Sequence, residues 1–91
     1  MPRISFFYGI AIWMYWWMYW NEGAHARPYF HARYAGQVAS VGLDGELIAG
    51  SLPNRALALV AEWARLHHDE LHANWERARR EEPLRSIEPL P

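Results

Sequence analysis

The sequence predicts an α+β domain in which a small antiparallel sheet of three to four strands packs against one long C-terminal helix. Three observations lead to this prediction. Aromatic and β-branched residues dominate residues 4–50, an apolar stripe of helical period follows over residues 53–80, and 91 residues have room for one modest core. Residues 1–91 are therefore expected to form a single domain, with an extended tail at 83–91.

The first predicted strand is long and runs from Ile4 to Trp20 without a charged residue. Its even positions hold the aliphatic side chains and are assigned to the core, whereas its odd positions hold rings with polar tips. The tetrapeptide Trp-Met-Tyr-Trp occurs twice, at 13–16 and 17–20, and a duplication of four residues keeps every side chain on its face. The rings expected to face a partner are Trp13, Tyr15, Trp17 and Tyr19, joined by Tyr29 of the next strand.

Shorter strands follow a connecting loop at 21–28 that contains Gly23 and Pro28. The second strand is predicted at 29–34, where residues alternate in polarity. Ala35-Gly36 then forms a tight turn into a weaker strand at 37–43. Asp44-Gly45 is typical of a hairpin and precedes a short strand at 46–49.

The helix is predicted from about 53 to about 80. Pro53 is suited to a first helical position, and Glu81, Glu82 and Pro83 end the pattern. A straight helix of this length would span about 42 Å, which is more than so small a domain needs, so a bend near residues 67–69 or a projecting end is expected. The predicted apolar stripe consists of Leu57, Val60, Ala64, His67, Leu71, Trp75 and Ala78.

The tail carries Leu84, Ile87 and Leu90 at a spacing of three, among three prolines. A polyproline-like segment has three residues per turn, so these side chains would share one edge. The pattern predicts a strap that lies across a surface, either of this chain or of a partner.

Charge and composition exclude several classes of function. The nine basic residues, all arginine, nearly balance ten acidic residues, which leaves a net charge of −1 and no basic footprint for nucleic acid or anionic membrane. The absence of cysteine excludes disulfides, thiolate zinc sites and thiol nucleophiles. The uncharged stretch at 4–20 is short for a membrane span and has its tryptophans in the middle. No metal, cofactor or membrane partner is expected, and the protein is predicted to be cytoplasmic.

Several short motifs carry a resemblance to a known family and occur in its order along nearly the whole chain. They are Phe7-Tyr8-Gly9-Ile10, Pro28-Tyr29-Phe30-His31-Ala32, Leu52-Pro53-Asn54-Arg55-Ala56-Leu57, Glu62-Trp63-Ala64, Asn74-Trp75-Glu76 and Ile87-Glu88-Pro89-Leu90. In these motifs the chain resembles the small bacterial proteins of domain-of-unknown-function family 4160. The resemblance implies a β-rich N-terminal half and a C-terminal helix. It also implies a neighbouring second small gene, often of domain-of-unknown-function family 2442, in pairs regarded as toxin–antitoxin modules. The family's His-Phe-His is Tyr29-Phe30-His31 in this chain.

The ring-rich face of the first strand predicts a protein-interaction module. Four rings of about 150–250 Å² each place about 800 Å² on one face, which exceeds the largest exposed patch of an ordinary monomer and equals one side of a standard interface. The expected partner is a second copy of the chain or a cognate small protein, consistent with one half of a two-gene toxin–antitoxin-like pair. The sequence leaves open which half it would be.

An alternative function uses the polar residues near the second strand. His31 and Arg33 share a face, and His25 of the preceding loop could join them. A histidine that moves protons and an arginine that stabilises a phosphorane are what a small metal-independent ribonuclease needs. The same residues also fit the solvated face of a half-buried hairpin, and the near-neutral charge gives RNA binding little support.

Overall fold

The computed structural model describes residues 3–14 and 28–91. Within these ranges the fold is α+β, with an antiparallel sheet whose five strands follow one another in chain order. The fold class is therefore confirmed, whereas the expected three to four strands and one long helix differ from the five strands and two helices observed. The elements are β1 Arg3–Phe7, β2 Ile10–Trp13, β3 Tyr29–Tyr34, β4 Gln37–Gly42, β5 Leu47–Gly50, α1 Asn54–Leu66 and α2 His68–Arg79.

The predicted single strand from Ile4 to Trp20 is wrong in its described part, because the chain reverses at Tyr8-Gly9. Both residues have positive φ, 51° and 81°, as a two-residue hairpin turn that matches the twist of its strands requires. The reversal pairs Phe7 with Ile10 and folds β2 back along β1. Residues 15–20, including the second copy of the tetrapeptide, lie outside the described residues, as does the predicted loop at 21–27.

The next strands agree closely with the sequence prediction. β3 has the predicted bounds, and Ala35-Gly36 is the expected tight turn, with φ of 51° and 82°. The hairpin at Asp44-Gly45 is closed by the amide of Gly45, which donates to the carbonyl oxygen of Gly42 at 2.9 Å. β4 and β5 begin or end within one residue of their predicted positions.

The helical region is divided at His67, whose φ of −112° and ψ of 29° are not helical. This break lies where the sequence predicted a bend. It allows both helices to pack on the same core, which contains Val60, Trp63 and Ala64 of α1 and Leu71 and Trp75 of α2. No helix among the described residues is long and apolar enough to cross a membrane.

Trp63 lies at the centre of the core and is completely buried. Its ring centroid is 5.3 Å from that of Phe7 in β1 and 5.6 Å from that of Phe30 in β3, the second contact being edge-to-face. Edge-to-face and offset contacts at these distances are favourable because they match the ring quadrupoles. Trp63 therefore ties α1 to two separate strands of the sheet.

Residues 83–91 form the predicted strap, and it lies across this chain's own surface. Ile87 and Leu90 are buried and Leu84 packs against the core, so the three apolar residues do share one edge. The amide of Ile87 donates to the carbonyl oxygen of Ile4 at 2.7 Å, beside the exposed edge of β1. The indole Nε1–H of Trp63 donates to the carbonyl oxygen of Glu88 at 2.9 Å.

A buried asparagine of α2 fixes the start of the strap. Asn74 is completely buried, and its amide nitrogen donates to the carbonyl oxygen of Arg85 at 2.8 Å. Its amide oxygen accepts from the backbone N–H of Arg85 at 2.9 Å and from the guanidinium of Arg77 at 2.9 Å. The backbone N–H and carbonyl groups of Arg85 have no partner strand among the described residues, and the side chain of Asn74 supplies the hydrogen bonds that they need.

Candidate interaction surface

The strand register divides the sheet into two faces of different chemistry. The inner face packs on the helices and includes Ile10, Ile12, Phe30 and Ala32, which are all completely buried. Residues at the alternate positions pair with one another across the strands and lie on the opposite side. We call this side the outer face; its members are Arg3, Phe6, Ala11, Trp13, His31, Arg33, Val38, Ser40 and Ala49.

Large apolar side chains on the outer face remain accessible. Phe6 is 52% exposed and Val38 is 44% exposed, and both belong to one row that runs from β1 to β4 through Ala11 and Arg33. With about 4.8 Å between neighbouring strands, this row is about 14 Å long. Trp13, in the adjacent row, is half-buried, with its indole nitrogen buried. The outer face therefore offers continuous apolar and cationic surface across four strands.

Charge is distributed unevenly between the sheet and the rest of the described chain. The five strands contain Arg3, His31 and Arg33 but no aspartate or glutamate. Every carboxylate of the described residues lies in the β4–β5 turn, in the helices or in the segment after them. The guanidinium of Arg3 stands over the ring of Phe6, with Cζ 5.2 Å from the ring centroid, which is a cation–π contact. The outer face is thus a cationic surface on a nearly neutral chain.

His31 lies at the centre of the outer face, directly opposite Trp13 on β2 and Ser40 on β4. Its ring meets that of Tyr29 edge-on, with centroids 5.6 Å apart. Burial lowers the pKa of His31 below its ordinary value of 6.5, because the charged ring loses hydration. At neutral pH the imidazole is therefore neutral and can accept a proton.

The structure brings together some of the residues predicted for a site. His31 and Arg33 lie on the same face two residues apart, and Trp13 lies beside them on β2. Tyr29, at the start of β3, is buried and its ring packs against Trp75 of α2 at 6.2 Å between centroids. Tyr29 therefore presents little surface to a partner. Four further predicted residues lie outside the described residues: Tyr15, Trp17, Tyr19 and His25.

Several members of the outer face, among them its large or charged residues Arg3, Phe6 and Val38, were not predicted from the sequence. Arg3, Phe6 and Val38 join the surface only because β1 and β4 flank the two central strands. Phe6 lay on the side that the single-strand interpretation assigned to the core. The hairpin at residues 8–9 could have been suspected from Gly9, since glycine is the residue that most readily adopts positive φ.

Metal binding has no support in the part of the chain that the structure describes. No group of three or more histidine, aspartate or glutamate side chains within 3–14 and 28–91 could hold a metal ion. His68 and His72 of α2 lie near one another, with ring centroids 6.4 Å apart, but no such group forms around them.

Comparison with known proteins identifies the family. Residues 9–76, which are well over half of the chain, match the family described as domain of unknown function (DUF4160). The chain belongs to the DUF4160 family. The match includes β2 to β5, α1 and most of α2, whereas β1 and the strap of this DUF4160 protein lie outside the matched residues. No curated protein and no solved structure matches the chain.

Proposed function

We propose that this DUF4160 protein is a protein-interaction module that associates through its outer face, as one component of a toxin–antitoxin-like two-gene pair in the cytoplasm. The observation that carries the proposal is the row from Phe6 to Val38, which crosses four strands beside Trp13 and in which Phe6, Arg33 and Val38 are exposed. Phenylalanine and valine side chains on the inner face are buried in the core, whereas Phe6 and Val38 in this row are exposed to water. Contiguous exposed apolar surface bordered by charge is typical of an interface.

The charges of the outer face favour a partner that carries carboxylates. Arg3 and Arg33 have no acidic neighbour on the strands, and neither takes part in a salt bridge among the described residues. Opposite charges on a partner would steer its approach and fix its register on the sheet. We therefore propose a partner surface that combines apolar residues with aspartate or glutamate.

The same charges are too few to favour nucleic acid. Each neutralised phosphate of a single strand contributes about 0.7 to the logarithmic salt dependence, so two arginines give a slope of only about −1.4. His31 adds no charge near pH 7, because its pKa is lowered. One of the exposed rings, Phe6, is already in contact with Arg3 and is less available to stack on a base.

Substitution of Val38 by glutamate tests the surface directly. Val38→Glu places a carboxylate on the proposed interface beside Arg33, where it would repel an acidic partner and become desolvated on association. We expect it to abolish association of the purified protein with a second copy or with its cognate small protein, measured as molecular mass by light scattering.

A matched control is available in α1, outside the outer face. Leu66, at the end of α1, is 61% exposed and lies outside the outer face, so Leu66→Glu should leave association unchanged. A wild-type mass equal to one chain with and without the cognate protein would reject the proposal. Equal loss of association in both variants would also reject it, because the effect would then come from added charge alone.

A second candidate function is that of a small metal-independent ribonuclease. It is supported by His31, whose imidazole is neutral because burial lowers its pKa and can therefore accept a proton, and by Arg33 on the same face. The test is incubation of RNA with the wild-type protein, with His31→Ala and with His72→Ala, which alters an exposed histidine of α2. Cleavage that is lost only in His31→Ala supports the enzyme, and the absence of cleavage in every sample rejects it.

A further inference from the structure

A pocket of about 370 Å³ opens on the side of the sheet opposite to the outer face. It lies where the β1–β2 turn, the end of β3 and the first turns of α1 meet. This volume falls within the range of about 300–1,000 Å³ that is typical of small-molecule sites. We call it the tyrosine pocket; it is lined by Tyr8, Tyr34, Arg55, Ala56 and Leu59, with Ile10 at its base.

The walls of the tyrosine pocket are fixed by contacts outside it. The hydroxyl of Tyr8 donates to the carbonyl oxygen of Pro91 at 2.7 Å, so the strap holds one ring in place. The other ring, Tyr34, lies so close to the turn that a Cβ on Gly9 would stand 3.3 Å from its Cε1. Ala56, one of the α1 residues that line the pocket, has too short a side chain to fill it. The pocket is thus preformed, which removes the entropic cost of ordering its walls on binding.

Two hydrogen-bond donors at this apolar pocket have no partner among the described residues. Arg55 is exposed and makes no salt bridge there, since the residues three and four positions further along α1 are Ala58 and Leu59. The hydroxyl of Tyr34 makes no hydrogen bond there either. The cavity therefore combines an apolar interior with one cation and one neutral donor.

We propose that the tyrosine pocket binds a small carboxylic acid with an apolar, preferably aromatic, body. The body lies between the two tyrosine rings above Ile10, and the carboxylate lies against the guanidinium of Arg55. Guanidinium and carboxylate groups match in shape and form two parallel hydrogen bonds. The volume favours a free small molecule over a peptide, whose backbone would need a longer groove. This site is separate from the outer face and does not depend on the function proposed for that face.

The proposal is tested with 3-phenylpropionate and its uncharged counterpart 3-phenylpropionamide. Each is titrated into the full-length protein labelled with ¹⁵N, and the shifts of the backbone amides of Tyr8, Tyr34 and Ala56 are followed. The acid is expected to bind about five- to tenfold more tightly than the amide, because only the acid pairs with Arg55. Shifts of these amides should be larger than those on the outer face.

Two variants on the same helix decide the role of the charge. Arg55→Gln is expected to bind the acid and the amide equally, whereas Arg65→Gln, an exposed arginine in the last turn of α1, should keep the wild-type preference. Both changes are at exposed positions, and the dispersion of the spectrum verifies the fold of each variant. Equal binding of acid and amide by the wild-type protein would overturn the proposal. So would the absence of shifts at the pocket at millimolar acid, or a preference that survives Arg55→Gln.

Discussion

The inner and outer faces of the sheet are formed by the same strands, yet similar side chains are buried on the inner face and exposed on the outer face. In β3, Phe30 and Ala32 are completely buried, whereas His31 is half-buried and Arg33 is exposed. In β4, Val41 is 1% exposed and Val38 is 44% exposed. Residues of both faces belong to the same hydrogen-bonded strands, so the difference in burial comes from what packs against each face.

This difference separates residues that stabilise the fold from residues that remain available to a partner. On the inner face, α1 and α2 exclude water, and close packing makes every lost methylene costly. On the outer face, the described side chains retain contact with solvent, so their removal should cost little stability. This is the reason we propose recognition as the role of a face that contributes little to the stability of the fold and carries Phe6, Trp13, His31 and Arg33.

The largest expected effect on the stability of the protein comes from substitution of Trp63, the central residue of the core on the inner side. Trp63→Ala removes the ring between Phe7 and Phe30 and the hydrogen bond to Glu88, so we expect the free energy of unfolding to fall by about 3–5 kcal/mol. The free energy of unfolding is measured by urea denaturation, monitored by far-UV circular dichroism. Phe6→Ala is the control on the outer face and should cost less than about 1 kcal/mol. Similar costs for the two variants would contradict the division between faces.

The second effect concerns the strap that closes the inner side. Asn74→Ala leaves the N–H and carbonyl groups of Arg85 without their side-chain partner, so it should lower the free energy of unfolding by about 1–3 kcal/mol. It should also hasten proteolysis within residues 83–91, observed by mass spectrometry. Asn54→Ala, at the exposed start of α1, is the matched change and should do neither. An Asn74→Ala protein as resistant as wild type would show that the strap is held by other contacts.

A pair of valines in one strand provides the most direct comparison. Val41→Ala should cost about 1.5–3 kcal/mol in the free energy of unfolding, because two buried methyl groups are lost and a small cavity remains. Val38→Ala makes the same chemical change at an exposed position and should stay within about 0.5 kcal/mol. Both values come from urea denaturation. Equal costs would mean that the outer face is packed as tightly as the inner one.

The smallest effect is a pH dependence that originates on the outer face. The lowered pKa of His31 means that the folded state favours the neutral ring, so unfolding takes up a proton between that lowered pKa and 6.5. The contribution of His31 to stability is therefore complete above pH 6.5 and is lost as pH falls through this window. In His31→Gln the free energy of unfolding should fall less on acidification than in wild type. His72→Gln, at an exposed position, is the comparison, and an unchanged slope in His31→Gln would contradict the assignment.

Local sequence signals predicted most of the fold after residue 28. The turn at Asp44-Gly45 has residues of the usual kind, the turn at Ala35-Gly36 is marked by its glycine between two segments of alternating polarity, and the strap follows from apolar residues at a spacing of three. The break at His67 followed from length, because an unbroken helix would have exceeded the dimensions of the core. These features depend on neighbours in sequence, which is why the sequence was sufficient.

The first hairpin could not be predicted in the same way. Apolar residues continue through Tyr8-Gly9 without a polar interruption, and tyrosine is not a usual residue at positive φ. The hydroxyl of Tyr8 donates a hydrogen bond to the carbonyl oxygen of Pro91, 83 residues further along the chain, and no local sequence pattern predicts this contact.

The missed turn also explains the error at Phe6. The turn pairs Phe7 with Ile10 and Phe6 with Ala11, so the inward positions are odd in the last part of β1, at Ser5 and Phe7, and even in β2. A single strand has one parity throughout, and it placed Phe6 in the core. The candidate surface was therefore predicted in its centre, at Trp13, His31 and Arg33, but not at the margins that give it its width and half of its arginine charge.

The strap affects whether other polypeptide chains can pair with the edge of the sheet. The backbone bond from Ile87 to Ile4 and the side-chain bond from Tyr8 to Pro91 join the two extremities of the described chain. When residues 84–91 are docked, the carbonyl oxygen of Ile4 on the free border of β1 is hydrogen-bonded to Ile87 and is not available to an extended polypeptide from another molecule. Undocking of this short segment is expected to cost less than global unfolding, and it would make this position on the border of β1 available for pairing with another chain.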